Sequence, residues 1–224
     1  MKPAQIPLNL TYRTASGRDN FLVAPPNEEA VTWIDRWPDW PGNFLMITGP
    51  SGCGKSHLTN VWQDQADADV ITLDELAGLG IDELAARATR PLICEDMEGA
   101  FDEEAFLHLY NIIKETGSFL LMTAKAPPAK WPITLPDLRS RLGTVPVATV
   151  REPDDQLFAS LIIKHFSDRQ LAVDPDVVQY LLVRLERSFD EARKFVKRLD
   201  AQALAKKRKI TLSLIRELLK KEQG

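Results

Sequence analysis

Gly49-Pro50-Ser51-Gly52-Cys53-Gly54-Lys55-Ser56 is a complete G-x-x-x-x-G-K-[ST] string, and its flanks give it meaning. Residues 44–47 before it form a short apolar run that reads as a buried strand. Residues 56–63 after it have helical spacing. A strand, a glycine-rich turn and a helix in that order make a phosphate cradle. Glycine lets the backbone curve around phosphate with its N–H groups inward, where a Cβ would clash. The opening turn of the helix presents its positive end to the anion. Lys55 is placed to neutralise β- and γ-phosphates and the Ser56 hydroxyl to ligate Mg2+. The expected nucleotide contacts are therefore Gly49, Pro50, Ser51, Gly52, Cys53, Gly54, Lys55, Ser56 and the following His57.

Further along the chain, apolar runs at 70–73, 92–94, 119–122 and 145–150 alternate with helical patterns at 81–87 and 103–116. Strands separated by crossover helices imply an α/β fold with a five-stranded parallel sheet. Beyond residue 152 no strand signal survives, and residues 154–166, 175–185, 189–203 and 212–221 read as four helices. The expected organisation is a short tail at 1–12, an α/β nucleotide-binding domain at 13–152 and an all-helical domain at 153–224.

Composition narrows the function classes. Hydrophobic residues make up 44% of the 224, enough for a core, and charged residues 27%. Lys plus Arg number 28 against 32 acidic residues, a formal charge of -4, so a global basic field for non-specific DNA binding is absent. Two cysteines and three scattered histidines suit neither a disulfide framework nor a zinc site. No stretch approaches about 18 uninterrupted apolar residues, so a membrane span is not expected and a reducing, cytoplasmic setting is.

A phosphate cradle needs an acidic strand end for its magnesium shell. Pro91-Leu92-Ile93-Cys94-Glu95-Asp96 offers one: an apolar strand ending in two carboxylates. Glu95 is expected to orient Mg2+ through water together with Ser56, and the neighbouring carboxylate to polarise an attacking water. Cys53 and Cys94 read as small buried space-fillers. Asp102, Glu103 and Glu104 open a helix, where acids suit the dipole. Lys206-Lys207-Arg208-Lys209 reads as a solvated turn between two helices, and the five tryptophans as packing residues rather than base-stacking platforms.

With these parts in place the chain resembles the AAA+ ATPases and, within them, the DnaA group of replication proteins. Asp19-Asn20-Phe21-Leu22-Val23 resembles the segment lying along adenine in that group, which implies adenine contacts at Asn20, Phe21 and Leu22. Leu121-Met122-Thr123-Ala124 resembles the strand end carrying sensor 1, here Thr123. Leu138-Arg139-Ser140-Arg141-Leu142 resembles the segment whose last arginine, here Arg141, is an arginine finger acting in trans. The four C-terminal helices match the lid in length and number.

The resemblance leaves no room for an initiator's N-terminal interaction domain or its DNA-reading helix-turn-helix. That architecture is similar to the Hda family of DnaA-related regulators, whose members begin with a Q-L-x-L-x-L peptide for the sliding clamp. Gln5-Ile6-Pro7-Leu8-Asn9-Leu10 stands at the corresponding place, with Gln5, Ile6, Leu8 and Leu10 as the implied clamp contacts. The resemblance implies ATP or ADP with Mg2+ as ligands. It implies the DnaA initiator and the β subunit of DNA polymerase III, the sliding clamp, as partners, without direct sequence-specific DNA binding. It allows a homo-oligomer. The implied activity is clamp-bound stimulation of ATP hydrolysis on DnaA, which limits replication initiation. The chain's own hydrolysis is expected to be weak, because the family's sensor 2 arginine falls on Asp190, with Arg193 one turn later. A free-standing P-loop ATPase or small-molecule kinase, and a DnaA-like initiation or helicase-loading adaptor, are the alternative readings.

Overall fold

The computed structural model describes residues 22–206 and 208–222, with side chains as far as Leu219. The described residues divide between 151 and 152 into two compact units.

The first unit is an α/β sandwich. Its strands are β1 (Phe44–Thr48), β2 (Asp69–Val70), β3 (Leu92–Cys94), β4 (Leu120–Ala124) and β5 (Val147–Thr149), with helices α1 (Glu28–Asp35), α2 (Lys55–Ala66), α3 (Leu73–Gly78), α4 (Ile81–Arg87), α5 (Glu103–Thr116) and α6 (Pro136–Leu142). The sheet order is β2-β3-β4-β1-β5 and every neighbouring pair is parallel. This is the five-stranded parallel sheet that the alternation of patterns implied.

Side chains alternate across the sheet with period two, so each strand feeds both faces. On β1, Phe44 and Met46 join a core with Leu92, Cys94, Leu120 and Met122 beneath Phe106, Leu109 and Leu138. Leu45 and Ile47 join the other core, with Ile93, Leu121 and Ala148 against Leu58 and Trp62. Burial on both faces is why these strands read as unbroken apolar runs. Trp62, on α2, stacks on Trp40 at 5.1 Å and meets Trp37 edge-on at 6.3 Å, while Trp131 packs edge-on against Phe101. The indoles are packing residues, as expected.

One strand differs from its expectation. Residues 70–73 read as a strand, but β2 stops at Val70 and α3 begins at Leu73. The cause is a capping box: the Thr72 hydroxyl accepts from the Glu75 N–H at 3.1 Å, and the Glu75 carboxylate accepts from the Thr72 N–H at 2.9 Å. The short helices α1 and α6 are additions to the sequence reading.

The second unit is all-helical: α7 (Asp155–Ser167), α8 (Pro175–Leu182), α9 (Phe189–Lys206) and α10 (Leu212–Glu222). Asp154 caps α7 by accepting from the Leu157 N–H at 2.8 Å. Phe158, Phe166, Leu181, Phe195, Leu199, Leu214 and Ile215 are fully buried in its core. Lys206, the last residue of α9, and Arg208 after it both pair with Glu217 on α10.

Candidate nucleotide site

β1 lies between β4 and β5, so the turn that follows Thr48 emerges from inside the sheet rather than from an edge strand. Gly49 is buried there, and a Cβ on it would stand 2.2 Å from the Val150 carbonyl oxygen and 2.8 Å from Cys53 Sγ. Gly52 (φ 72°) and Gly54 (φ 104°) occupy backbone conformations that side chains resist. The loop curls back over the start of α2. Lys55 is only 7% exposed, and its Nζ donates to the carbonyls of Gly49 at 2.8 Å and Pro50 at 3.1 Å. No carboxylate pairs with it among the described residues. A buried ammonium with two neutral acceptors and a third donor to spare is the arrangement a phosphate anion completes. Pro50, Ser51, Ser56 and His57 are exposed around it, with Gly52 and Gly54 half-buried and Cys53 buried. The cradle therefore fits a nucleotide phosphate.

The acidic strand end meets this cradle through a residue the sequence reading passed over. The Thr59 hydroxyl, on the second turn of α2, lies 2.7 Å from Glu95 Oε1 and 3.1 Å from the Ser56 carbonyl. Thr59 thus aims the Glu95 carboxylate at the start of α2, where a Ser56-bound cation would sit. The signal was present, since Thr59 is i+3 from Ser56 on one helix face. Asp96 follows with a left-handed backbone (φ 54°) and an exposed side chain. Its N–H donates to Thr123 Oγ1 at 3.0 Å, and the Met97 N–H donates to the Thr123 carbonyl at 2.8 Å. Thr123 is buried on β4 opposite Ile47, so the candidate sensor stands between the acidic pair and the end of β1. Cys94, beneath them, has its thiol pKa pushed up to about 12, first by burial and then by the charge of Glu95. It is a packing residue and not a nucleophile.

Arg141 is not at this end of the sheet. Its guanidinium lies 5.6 Å from the centre of the Tyr110 ring, and that ring stacks at 4.1 Å on Phe44, the first residue of β1. The phosphate loop follows the last residue of the same strand. Five strand residues at roughly 3.3 Å each place the two ends about 15 Å apart. Asp137 holds Arg141 with both oxygens, at 3.1 Å to Nε and 3.0 Å to an Nη, and Asn111 Oδ1 accepts from the other Nη. The Asp137 hydrogen bonds raise the Arg141 pKa above its ordinary value. Arg139, two residues earlier, instead donates to the Ile133 carbonyl. On the same edge Phe44, Tyr110, Lys114 and Thr144 help line a cavity of about 260 Å3.

Three comparisons bear on this arrangement. The family model described as "Hda, lid domain" matches residues 154–219, the span of the four C-terminal helices. The chromosomal replication initiator protein DnaA of Cutibacterium acnes is 23% identical over 226 residues, covering 90% of this chain and 45% of the relative. Among solved structures, domain III of Thermotoga maritima DnaA superposes with a TM-score of 0.76 at 19% identity, covering 91% of this chain and 95% of that one. AMPPCP-bound DnaA from Aquifex aeolicus gives 0.69 at 18% identity, covering 81% and 64%.

The chain is similar to DnaA along most of its length, and its C-terminal helices match an Hda-type lid.

It spans about half the length of the curated DnaA it matches. The fold is the AAA+ α/β fold with a helical lid, the fold of the DnaA structures it superposes on. In the Hda-type lid, Asp190 opens α9 and is tied to its own helix: Arg193 donates to it at 2.8 Å, and Lys194 pairs with it as well. These bonds, Lys194 first, hold the Asp190 carboxyl below its usual range. Arg193, one turn after Asp190, is thus engaged by that acid. Of the adenine segment, Leu22 is buried and its carbonyl accepts from the Asn27 amide at 2.9 Å. Asn20 and Phe21 lie outside the described residues, as do Gln5, Ile6, Leu8 and Leu10. No helix among the described residues is long and apolar enough to cross a membrane.

Proposed function

We propose that this Hda-type protein binds ADP or ATP with Mg2+ in its own cradle and promotes hydrolysis of ATP held by the DnaA initiator. The sliding clamp, bound through Gln5 to Leu10, would tether it, and the cytoplasm is the compartment this reading implies. The observation that carries the proposal is the placement of Arg141, about 15 Å from the phosphate loop of its own chain along β1. An arginine there cannot serve its own nucleotide, but it can serve one bound to a neighbour. Guanidinium suits that work because it stays charged and forks onto two oxygens. Lys55, Ser56 and Glu95 would hold this chain's nucleotide and metal. The engagement of Arg193 by Asp190 supports weak turnover there, since no spare lid cation remains at that position for the phosphates.

The test is Arg141→Ala in an assay of initiator ATP hydrolysis with loaded clamp. Arginine fingers supplied in trans are worth roughly 10³ to 10⁵ in rate. The variant should fold, bind nucleotide and bind clamp like the parent while losing stimulation by a comparable factor. Arg139→Ala, whose side chain braces the loop before α6, should lose far less. Full stimulation by Arg141→Ala would overturn the reading.

A further inference from the structure

The Arg141 guanidinium is not a free surface charge. Asp137 takes one N–H from Nε and one from Nη, and Asn111 takes one from the other Nη. Three of the five donors of a guanidinium are thereby engaged, which leaves two, one on each terminal nitrogen. The Tyr110 ring lies 5.6 Å away on another side. Two elements supply these supports. Asp137 stands one turn before Arg141 on α6, while Tyr110 and Asn111 are successive residues of α5. α5 is well anchored: Asp102 caps it by accepting from the Ala105 N–H at 2.9 Å, and Phe106, Leu109, Tyr110 and Ile113 bury its inner face. The Arg141 side chain nevertheless keeps 30% of its surface exposed.

We propose that Asp137 and Asn111 are positioning residues for Arg141, holding its guanidinium so that the two remaining N–H groups are presented to the partner's phosphate as a fixed fork. The proposal rests on the trans-acting role of Arg141 described above. An unsupported arginine on an exposed helix samples many rotamers and must be ordered at the moment of reaction, whereas a braced one is ordered beforehand. The carboxylate occupies the side-on pair of donors, Nε and one Nη, and so leaves terminal donors for a second, outward partner. Asn111 is neutral and fixes the other terminal nitrogen without cancelling charge. The three supports belong to a local network in which each hydrogen bond restricts a different rotation of the same side chain.

The experiment measures initiator ATP hydrolysis as a function of initiator concentration, with clamp and ADP-loaded protein, for Asp137→Asn, Asp137→Glu, Asn111→Ala and Arg141→Ala. The expected result is a fall in maximal stimulated rate of about tenfold for Asp137→Asn, the size expected when a preorganised side chain regains rotamer freedom. Asn111→Ala should fall less. The half-saturating initiator concentration should not move in either. Asp137→Glu, which restores a carboxylate one turn from Arg141, should recover part of the rate. Asn111→Ala lies on a different helix from Asp137, so it keeps the test valid if Asp137→Asn loosens α6. If Arg141→Ala is silent, the trans-acting reading fails. If Arg141→Ala abolishes stimulation while Asp137→Asn and Asn111→Ala leave it unchanged, or Asp137→Asn raises it because the carboxylate was competing with phosphate, the positioning proposal fails and the trans-acting reading stands.

Discussion

At the residue scale the most informative side chain is Lys55, an ammonium buried against two carbonyls with no carboxylate paired to it among the described residues. A phosphate is its missing counter-ion, so Lys55→Ala should weaken ADP and ATP by tenfold or more, each tenfold corresponding to about 1.4 kcal/mol. Isothermal titration reads this directly, and equal affinities in variant and parent would remove the phosphate role. The motif made this residue legible because its chemistry is local: glycines, lysine and serine at fixed spacing within one turn. Residues whose work depends on distant partners were not legible in the same way. Thr59 matters because Glu95, thirty-six positions on, comes within 2.7 Å, and Asn111 because Arg141 folds onto it across a helix boundary. Spacing on α2 sets Thr59 beside Ser56, but no spacing rule announces its partner Glu95, nor that Asn111 meets Arg141.

At the element scale, α4 and α5 have the limits their periodicity indicated, and the 14-residue α5 is long enough for an apolar stripe to stand out. The four lid helices fall within a few residues of their expected ends for the same reason. β2 and α3 went otherwise because Thr72 and Glu75 interrupt an apolar run with a capping box, a local signal stronger than the run itself. The loop leading into α6 is held from outside. The Glu103 carboxylate on α5 accepts from the N–H of Thr134 at 2.9 Å, from the N–H of Leu135 at 2.6 Å and from the Thr134 hydroxyl at 3.0 Å. These bonds, the Thr134 amide foremost, hold its carboxyl below the ordinary value of 4.5. A depressed folded value means that the stabilisation is complete above the unfolded pKa and is lost as pH falls through the folded one. Glu103→Gln should therefore melt below the parent at neutral pH, with the gap closing in acid. Melting curves that stay parallel at all pH values would show that this clasp carries no charge-dependent stability. An acid at a helix start reads from sequence as a dipole partner; its second task, as acceptor for a loop thirty residues later, is a tertiary fact.

At the scale of the whole molecule, fold class was legible because parallel strands buried on both faces and amphipathic lid helices leave different textures in sequence. Which end of the sheet carries which function was not, since it depends on the strand order that sets β1 between β4 and β5. The proposed clamp tether belongs to this scale too. Gln5→Ala with Leu8→Ala should abolish capture by immobilised clamp and leave the melting temperature unchanged; capture that persists would detach the clamp from the proposed function. Finally, every tryptophan of the chain, at 33, 37, 40, 62 and 131, belongs to the α/β unit, and none to residues 152–224. The indoles at 37 and 40 form a stacked and edge-on group with Trp62 of α2, the helix that the phosphate loop opens. Tryptophan emission is therefore a private optical channel for the nucleotide-binding unit, while far-ultraviolet dichroism sums the helices of both. Melting curves recorded in the two channels separate the unfolding of sheet and lid without a single added label.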